Sequence, residues 1–149
     1  AYLLYDSEGK EINKENFIIK PDGYKIPLDA SNIHGITTEI ANRKGKPLLE
    51  VLLAFQKDIE KSNVIVAHNM SFDEKIVGAE FLRSKMKNSV TTKSKICTML
   101  SSIDYCAIKG PFGNKWPKLS ELHFKLFGTG FEEANNAAVD INETAKCFW

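Results

Sequence analysis

The residue whose type and place could do chemistry is Asp73, in the stretch Val64–Val77, VIVAHNMSFDEKIV. Val64, Ile65, Val66 and Ala67 form a continuous, mostly β-branched apolar run, the pattern of a strand buried on both faces. His68-Asn69 breaks the run. Ser71-Phe72-Asp73-Glu74 then opens a helix in capping-box spacing, serine at the N-cap and glutamate three residues on. Asp73 thus stands where a parallel strand hands over to a helix, at the carboxyl end of a sheet, where ligands of open α/β sheets gather. A carboxylate there holds a cation or offsets the helix dipole, and taken alone the second role is the commoner. Lys109, Lys115, Lys118 and Lys125, with Phe112 and Trp116 among them, are suited to phosphate contact and base stacking. The same residues also fit a solvated loop with two aromatics tucked into the core.

These residues need a scaffold, and the apolar pattern supplies one. Ala1–Asp6 and Glu11–Lys20 read as two strands joined through the polar turn Ser7-Glu8-Gly9-Lys10, a hairpin signal. After Pro21 and Pro27, a helical turn covers Leu28–Ile33, the loop His34-Gly35-Ile36-Thr37 follows, and a short helix ends near Gly45. Pro47 begins a stronger helix with Leu48, Leu52, Phe55 and Ile59 at helical spacing. The helix after the central strand carries Phe72, Ile76 and Ala79 on one buried stripe, with Val77 and Phe81 beside it. Ser84–Thr92 reads as a polar surface loop, Lys95–Thr98 as an edge strand, and Met99–Cys106 as a helix. KGPFGNKWPK is a Gly- and Pro-rich loop. A helix through Leu119, Leu122, Leu126 and Phe127 stops at Gly128, and a last one carries Ala134, Ala137, Ala138, Ile141, Ala145 and Phe148 on one face. The order makes the chain α/β with a mixed sheet.

With 149 residues the chain is one domain of ordinary composition, and its net charge of +1 advertises no polyanion partner. No apolar run approaches the ~18 residues of a membrane span. Cys97, Cys106 and Cys147, widely spaced and without a CxxC, fit reduced thiols of a cytoplasmic protein. No glycine-rich phosphate loop occurs, which sets aside a small phosphate ligand. The chain opens inside a strand-like run and stops within a helical pattern, so it reads as a piece of a longer one.

Five stretches taken together, IHGIT at Ile33–Thr37, VIVAHNMSFDEKIV, KICTM at Lys95–Met99, KLSELHFKLFG at Lys118–Gly128 and ANNAAVD at Ala134–Asp140, resemble one family. It is the DEDD-type 3′–5′ exonucleases, in the DEDDh branch that holds the DNA polymerase III epsilon-like proofreading enzymes. The resemblance implies a ribonuclease H-like fold, with the first, central strand missing from this chain. It implies a two-metal Mg²⁺ or Mn²⁺ site clamping the scissile phosphate. Asp73 and Asp140 match the family's metal-binding carboxylates. His34, Gly35, Ile36, Asn69 and Phe72 fall on the side of the terminal nucleotide. The implied partners are a single-stranded DNA 3′ end and a DNA polymerase subunit. RNA is equally open, since no residue visibly reads a 2′-hydroxyl.

Two departures qualify the resemblance. The family's first motif is Asp-x-Glu on the central strand; Asp6-Ser7-Glu8 imitates it, but only one hairpin separates it from IHGIT, and it reads as that hairpin's turn. Asn135 stands where this branch carries the histidine that deprotonates the attacking water, and an amide cannot be that base. His68, on the strand exit, and His123, packed in its helix, do not fill the vacancy. The expectation is an exonuclease domain, catalytically incomplete as given. The alternative is a non-catalytic module of the same fold that binds nucleic acid or a partner.

Overall fold

The computed structural model describes residues 1–132 and 136–149, and it is laid out around two parallel strands. β3 (Val64–Ala67) pairs with β4 (Ser94–Cys97), Val64 opposite Ser94 and Ala67 opposite Cys97. Parallel neighbours need a long crossover, supplied here by the helix α4 (Met70–Arg83) and a 3₁₀ turn at Ser89–Thr92. The expected burial of β3 on both faces is not met. Val64 is exposed and the rest of the strand half-buried, because among the described residues β3 has β4 alone as neighbour.

β1 (Tyr2–Tyr5) and β2 (Glu11–Glu15) form the antiparallel hairpin, with a register slip after Leu4. Its turn is built on Asp6, whose Oδ1 accepts the N–H groups of Glu8 and Lys10, each at 2.9 Å. Asp6-Ser7-Glu8 is therefore a turn, as its spacing predicts. β2 stops at Glu15 rather than running to Lys20; beyond it Ile19 makes an isolated parallel bridge with Lys46. There Gly45 passes so close that a Cβ would lie 2.3 Å from the Ala41 carbonyl oxygen and 2.7 Å from the Lys20 nitrogen. Only glycine fits that crossing. Between the two strands of the bridge lie α1 (Leu28–His34) and α2 (Thr38–Lys44).

α3 (Leu48–Lys61) follows Pro47 and supplies Leu52 and Ile59 to a core completed by Phe81 of α4 and Val90 of the 3₁₀ turn. Each such side chain contributes roughly 1.5–3 kcal/mol on burial. Val90 and Ser89 are buried, so the polar stretch Ser84–Thr92 is not a surface loop: it closes the core. The same helix holds the hairpin. Phe55 packs on the Tyr2 ring at 4.8 Å, and the buried Asp58 accepts from the Tyr2 hydroxyl at 3.1 Å and the Asn13 amide at 2.7 Å.

The single helix expected over Met99–Cys106 is two, α5 (Thr98–Ser101) and α6 (Ile103–Cys106). They part at Ser102, whose hydroxyl donates to the Thr98 carbonyl at 2.6 Å, in competition with the helix backbone. A small hairpin, β5 (Lys109–Gly110) with β6 (Gly113–Asn114), then leads to α7 (Leu119–Phe127), which ends on Gly128 in the left-handed region at φ 71°. α8 (Ala137–Phe148) is capped by the Asn136 side chain and packs on β1, β3, α5 and α7. Its buried residue is Glu143, whereas Ala138, Ile141 and Ala145 are half-buried, so the alanine face meets its neighbours only in part; Ala134 lies outside the described residues. The described strands form three two-stranded sheets, and no helix among the described residues is long and apolar enough to cross a membrane. The three cysteines are unpaired.

Candidate active site

His68 sits at the exit of β3 and decides how the chain turns there. Its Nε2 lies 3.0 Å from the Pro117 carbonyl oxygen and its Nδ1 3.0 Å from the Thr98 hydroxyl. A carbonyl only accepts, so Nε2 carries the proton and Nδ1 accepts from Thr98. Burial lowers the ring's pKa and the bond to Pro117 opposes this, which leaves the imidazole neutral. The ring pins β3, the start of α5 and the approach to α7 to one another.

Asn69 follows in the left-handed region at φ 70°, a conformation asparagine tolerates better than most residues. It is the N-cap of α4, and its carbonyl accepts the Phe72 N–H at 2.9 Å. The expected capping box from Ser71 to Glu74 does not form. The left-handed turn at Asn69 starts the helix two residues earlier, and Glu74 pairs instead with Lys95 at 3.0 Å. The buried stripe turns with it: Met70 and Phe81 face inward with Val77 beside them, while Phe72 and Ile76 are 61% and 52% exposed.

Asp73 lies in the first turn of α4 and is open to solvent. Partial desolvation raises the pKa of its carboxyl, opposed by its own backbone N–H. Asp140 lies in the first turn of α8, exposed, with its N–H bonded to the Asn136 carbonyl at 3.1 Å. The two aspartates therefore start two helices that both pack on β3. Asn135 lies outside the described residues.

His34 ends α1, exposed, and its Nδ1 accepts the Ile36 N–H at 3.1 Å. Gly35 closes that helix at φ 72°, and Thr37 caps α2 through its hydroxyl. His34, Gly35 and Ile36 thus ride on the excursion that leaves and rejoins the frame at Ile19 and Lys46, whereas Asn69, Phe72 and Asp73 belong to the β3–α4 turn.

Sequence reasoning missed one buried pair. His123 on α7 places Nε2 3.0 Å from Glu143 Oε2 on α8, while its Nδ1 faces the Thr129 carbonyl at 2.9 Å. Lys146 holds the other Glu143 oxygen at 2.7 Å. No periodicity links positions 123 and 143, so no signal in the sequence marked them.

Asp73 and Asp140 are hard oxygen donors of the kind a divalent cation takes. Among the described residues no three His, Cys, Asp or Glu groups converge as ligands, so the described residues do not by themselves make a two-metal centre.

β3, its turn and α4 present Asp73, and α8 carries Asp140 in its own first turn; the α/β domain has the ribonuclease H-like fold of the exonuclease structures it matches. The profile of the RNase T-type exonucleases matches residues 3–148, and the chain belongs to that exonuclease family, whose members use divalent metal ions. Among solved structures it is similar to E. coli Exonuclease I in complex with a 5cy-dT13 oligonucleotide, at 21% identity and a TM-score of 0.74, over 96% of this chain and 34% of that one. The zinc-bound form of the E. coli Exonuclease I complex with single-stranded DNA gives 25% identity and a TM-score of 0.71, over 95% and 33%. E. coli Exonuclease I in complex with a dT13 oligonucleotide gives 22% and 0.72, over 95% and 34%. The chain spans about a third of the length of those proteins. No protein with a curated description matches the sequence.

Proposed function

We propose that this domain shortens single-stranded DNA from the 3′ end, with Asp73 and Asp140 as its acidic site residues. The observation that carries the reading is the pair of first-turn aspartates on two helices packed against β3, in a chain that matches the exonuclease family from residue 3 to residue 148. Negative charge in the first turn of a helix is favoured by the backbone N–H groups there, a setting both aspartates share. The side of the terminal nucleotide is assigned to Asn69 and the exposed Phe72 beside Asp73, together with His34, Gly35 and Ile36 of the excursion. An exposed Phe72 suits a base rather than a core. The protein is read as a repair or proofreading nuclease using Mg²⁺ or Mn²⁺.

Asn135 favours a second reading, in which the domain binds a 3′ end or a polymerase-type partner and does not cut. A time course separates the two. The chain is incubated with a 5′-labelled single-stranded oligonucleotide and Mn²⁺ or Mg²⁺, beside Asp73→Asn. Stepwise shortening by single nucleotides, lost in Asp73→Asn, supports the exonuclease. Retention of the oligonucleotide without shortening supports the binding module. Internal cleavage would overturn both.

A further inference from the structure

We propose that the β5–β6 hairpin with the adjoining Trp116 is a stacking surface for single-stranded nucleic acid, extending the candidate site away from Asp73. This rests on the exonuclease reading and adds to it the place where the strand lies. The aromatic rings here are not tucked into the core. Phe112, at the hairpin tip, is fully exposed, Trp116 is 64% exposed and Tyr105 on the neighbouring α6 is 53% exposed. An apolar ring held in water on a structured turn gains nothing for the fold, and several in one neighbourhood mark a surface that something covers.

The backbone under those rings is fixed. Pro117, next to Trp116, is completely buried, and its carbonyl oxygen accepts a hydrogen bond from His68 Nε2 at 3.0 Å. The indole therefore stands on an anchored base, tied to the same strand exit that leads within five residues to Asp73. At the other end of the hairpin the Asn114 amide donates to Asp104 of α6 at 3.2 Å, and Lys109 reaches the Asn114 carbonyl oxygen at 3.1 Å.

Charge identifies the occupant. Residues 104–125 carry Lys109, Lys115, Lys118 and Lys125 against Asp104 and Glu121. Lys115 is paired with Glu121, and Lys125 stands 5.9 Å over the Tyr105 ring. The bond from Lys109 is to a neutral amide, and among the described residues no carboxylate pairs with it. A surplus of positive charge around exposed flat rings fits a polyanion that has its own flat π faces. Unpaired bases on a phosphate backbone meet both conditions; a duplex hides the faces and an acidic peptide lacks them.

The test is fluorescence anisotropy of a 3′-labelled dT12 titrated with the full chain in EDTA, so that binding is read without cutting. Phe112→Ala and Trp116→Ala should each weaken binding by about tenfold, and Phe112→Tyr should retain it. Lys109→Ala should lower the slope of log affinity against log salt by about 0.7, one phosphate's share. The melting temperature of Phe112→Ala should stay unchanged. Parent-like binding by both alanine variants, while the parent binds and shortens the oligonucleotide, overturns this inference and leaves the exonuclease reading standing. A parent that neither binds nor shortens it overturns both. Variants that bind DNA normally but lose self-association in sedimentation mark the patch as a protein contact, which also overturns it.

Discussion

His123 Nε2 and Glu143 Oε2 meet at 3.0 Å across the α7–α8 contact, in a place where both side chains are more than nine-tenths buried. Nδ1 of the same ring already gives its proton to the Thr129 carbonyl. Among the described residues Oε2 has no hydrogen-bond partner, so the two groups meet by distance rather than as an aligned hydrogen bond. The contact ties residue 129 and α7 to the helix whose first turn carries Asp140.

Removing the carboxylate leaves the buried His123 Nε2 without its partner. Glu143→Ala should destabilise the chain by about 1–3 kcal/mol. Glu143→Gln should cost less, because its amide N–H can donate to a neutral Nε2. Urea unfolding of the three proteins measures it, and a cost under about 1 kcal/mol for the alanine variant would sink the account.

His68 gives a pH dependence of known sign. Its folded pKa lies below the ordinary value because burial opposes the charged ring. The unfolded ring takes its proton near ~6.5, so the unfolded state binds more protons below that pH. The stability His68 contributes is whole above ~6.5 and is lost as pH falls through that value toward the folded pKa. His68→Gln should flatten this part of the profile between pH 7 and 5. Parallel unfolding profiles for the two proteins would show that the ring is not held neutral.

Burial pushes the Cys147 thiol up to about 11, with Glu143 and Cys106 adding to the effect. At pH 8 only about 10⁻³ of it is thiolate, the form that reacts. Iodoacetamide should leave Cys147 unmodified at pH 8 under conditions that label it fully in urea. Peptide mass spectrometry reads the difference, and equal labelling in both would refute it.

If residue 135 occupies the position of a general base, Asn135→His should speed any 3′ shortening by about 10²–10⁴-fold. The gain should disappear in the double variant with Asp73→Asn. A histidine that leaves the rate unchanged would place that residue outside the chemistry.

Among the described residues β1 pairs with β2 alone and β3 with β4 alone, so each pair presents strand edges. Open edges recruit other strands, and charge on them is the common deterrent. Val64 is 41% exposed on β3. Val64→Lys should lower concentration-dependent association in sedimentation velocity. An unchanged distribution would mean the edge is covered by other means.

What the sequence showed was what is local. The four-residue apolar run of β3, the proline before α3, the turn at Asp6 and the glycine after α7 each act on their own neighbours, and each appears where its chemistry predicts. What it hid depends on partners distant in the chain. Phe72 and Ile76 share a helical stripe, but the side that faces inward is set by where Asn69 lets the helix begin. Val90 enters the core from a polar stretch because α3 and α4 leave a gap there. His123 and Glu143 are ordinary surface types until α7 and α8 are laid side by side. For the site, Asp73 was visible from its position after a strand, whereas Asp140 stood out only through family resemblance.

The crossing at Gly45 has a bearing on which length changes the chain would accept. Lys20 donates to the Lys46 carbonyl at 2.9 Å and Lys46 to the Ile18 carbonyl at 2.8 Å, so the excursion is tied at its neck. Inside it, Asp22, Gly23, Tyr24 and Lys25 are exposed. A loop already closed at its base loses only about 0.6 kcal/mol more for each doubling of its length. Extra residues spliced in at 22–25 would lengthen the approach to His34 without moving the neck, whereas any side chain at position 45 would prise the neck apart.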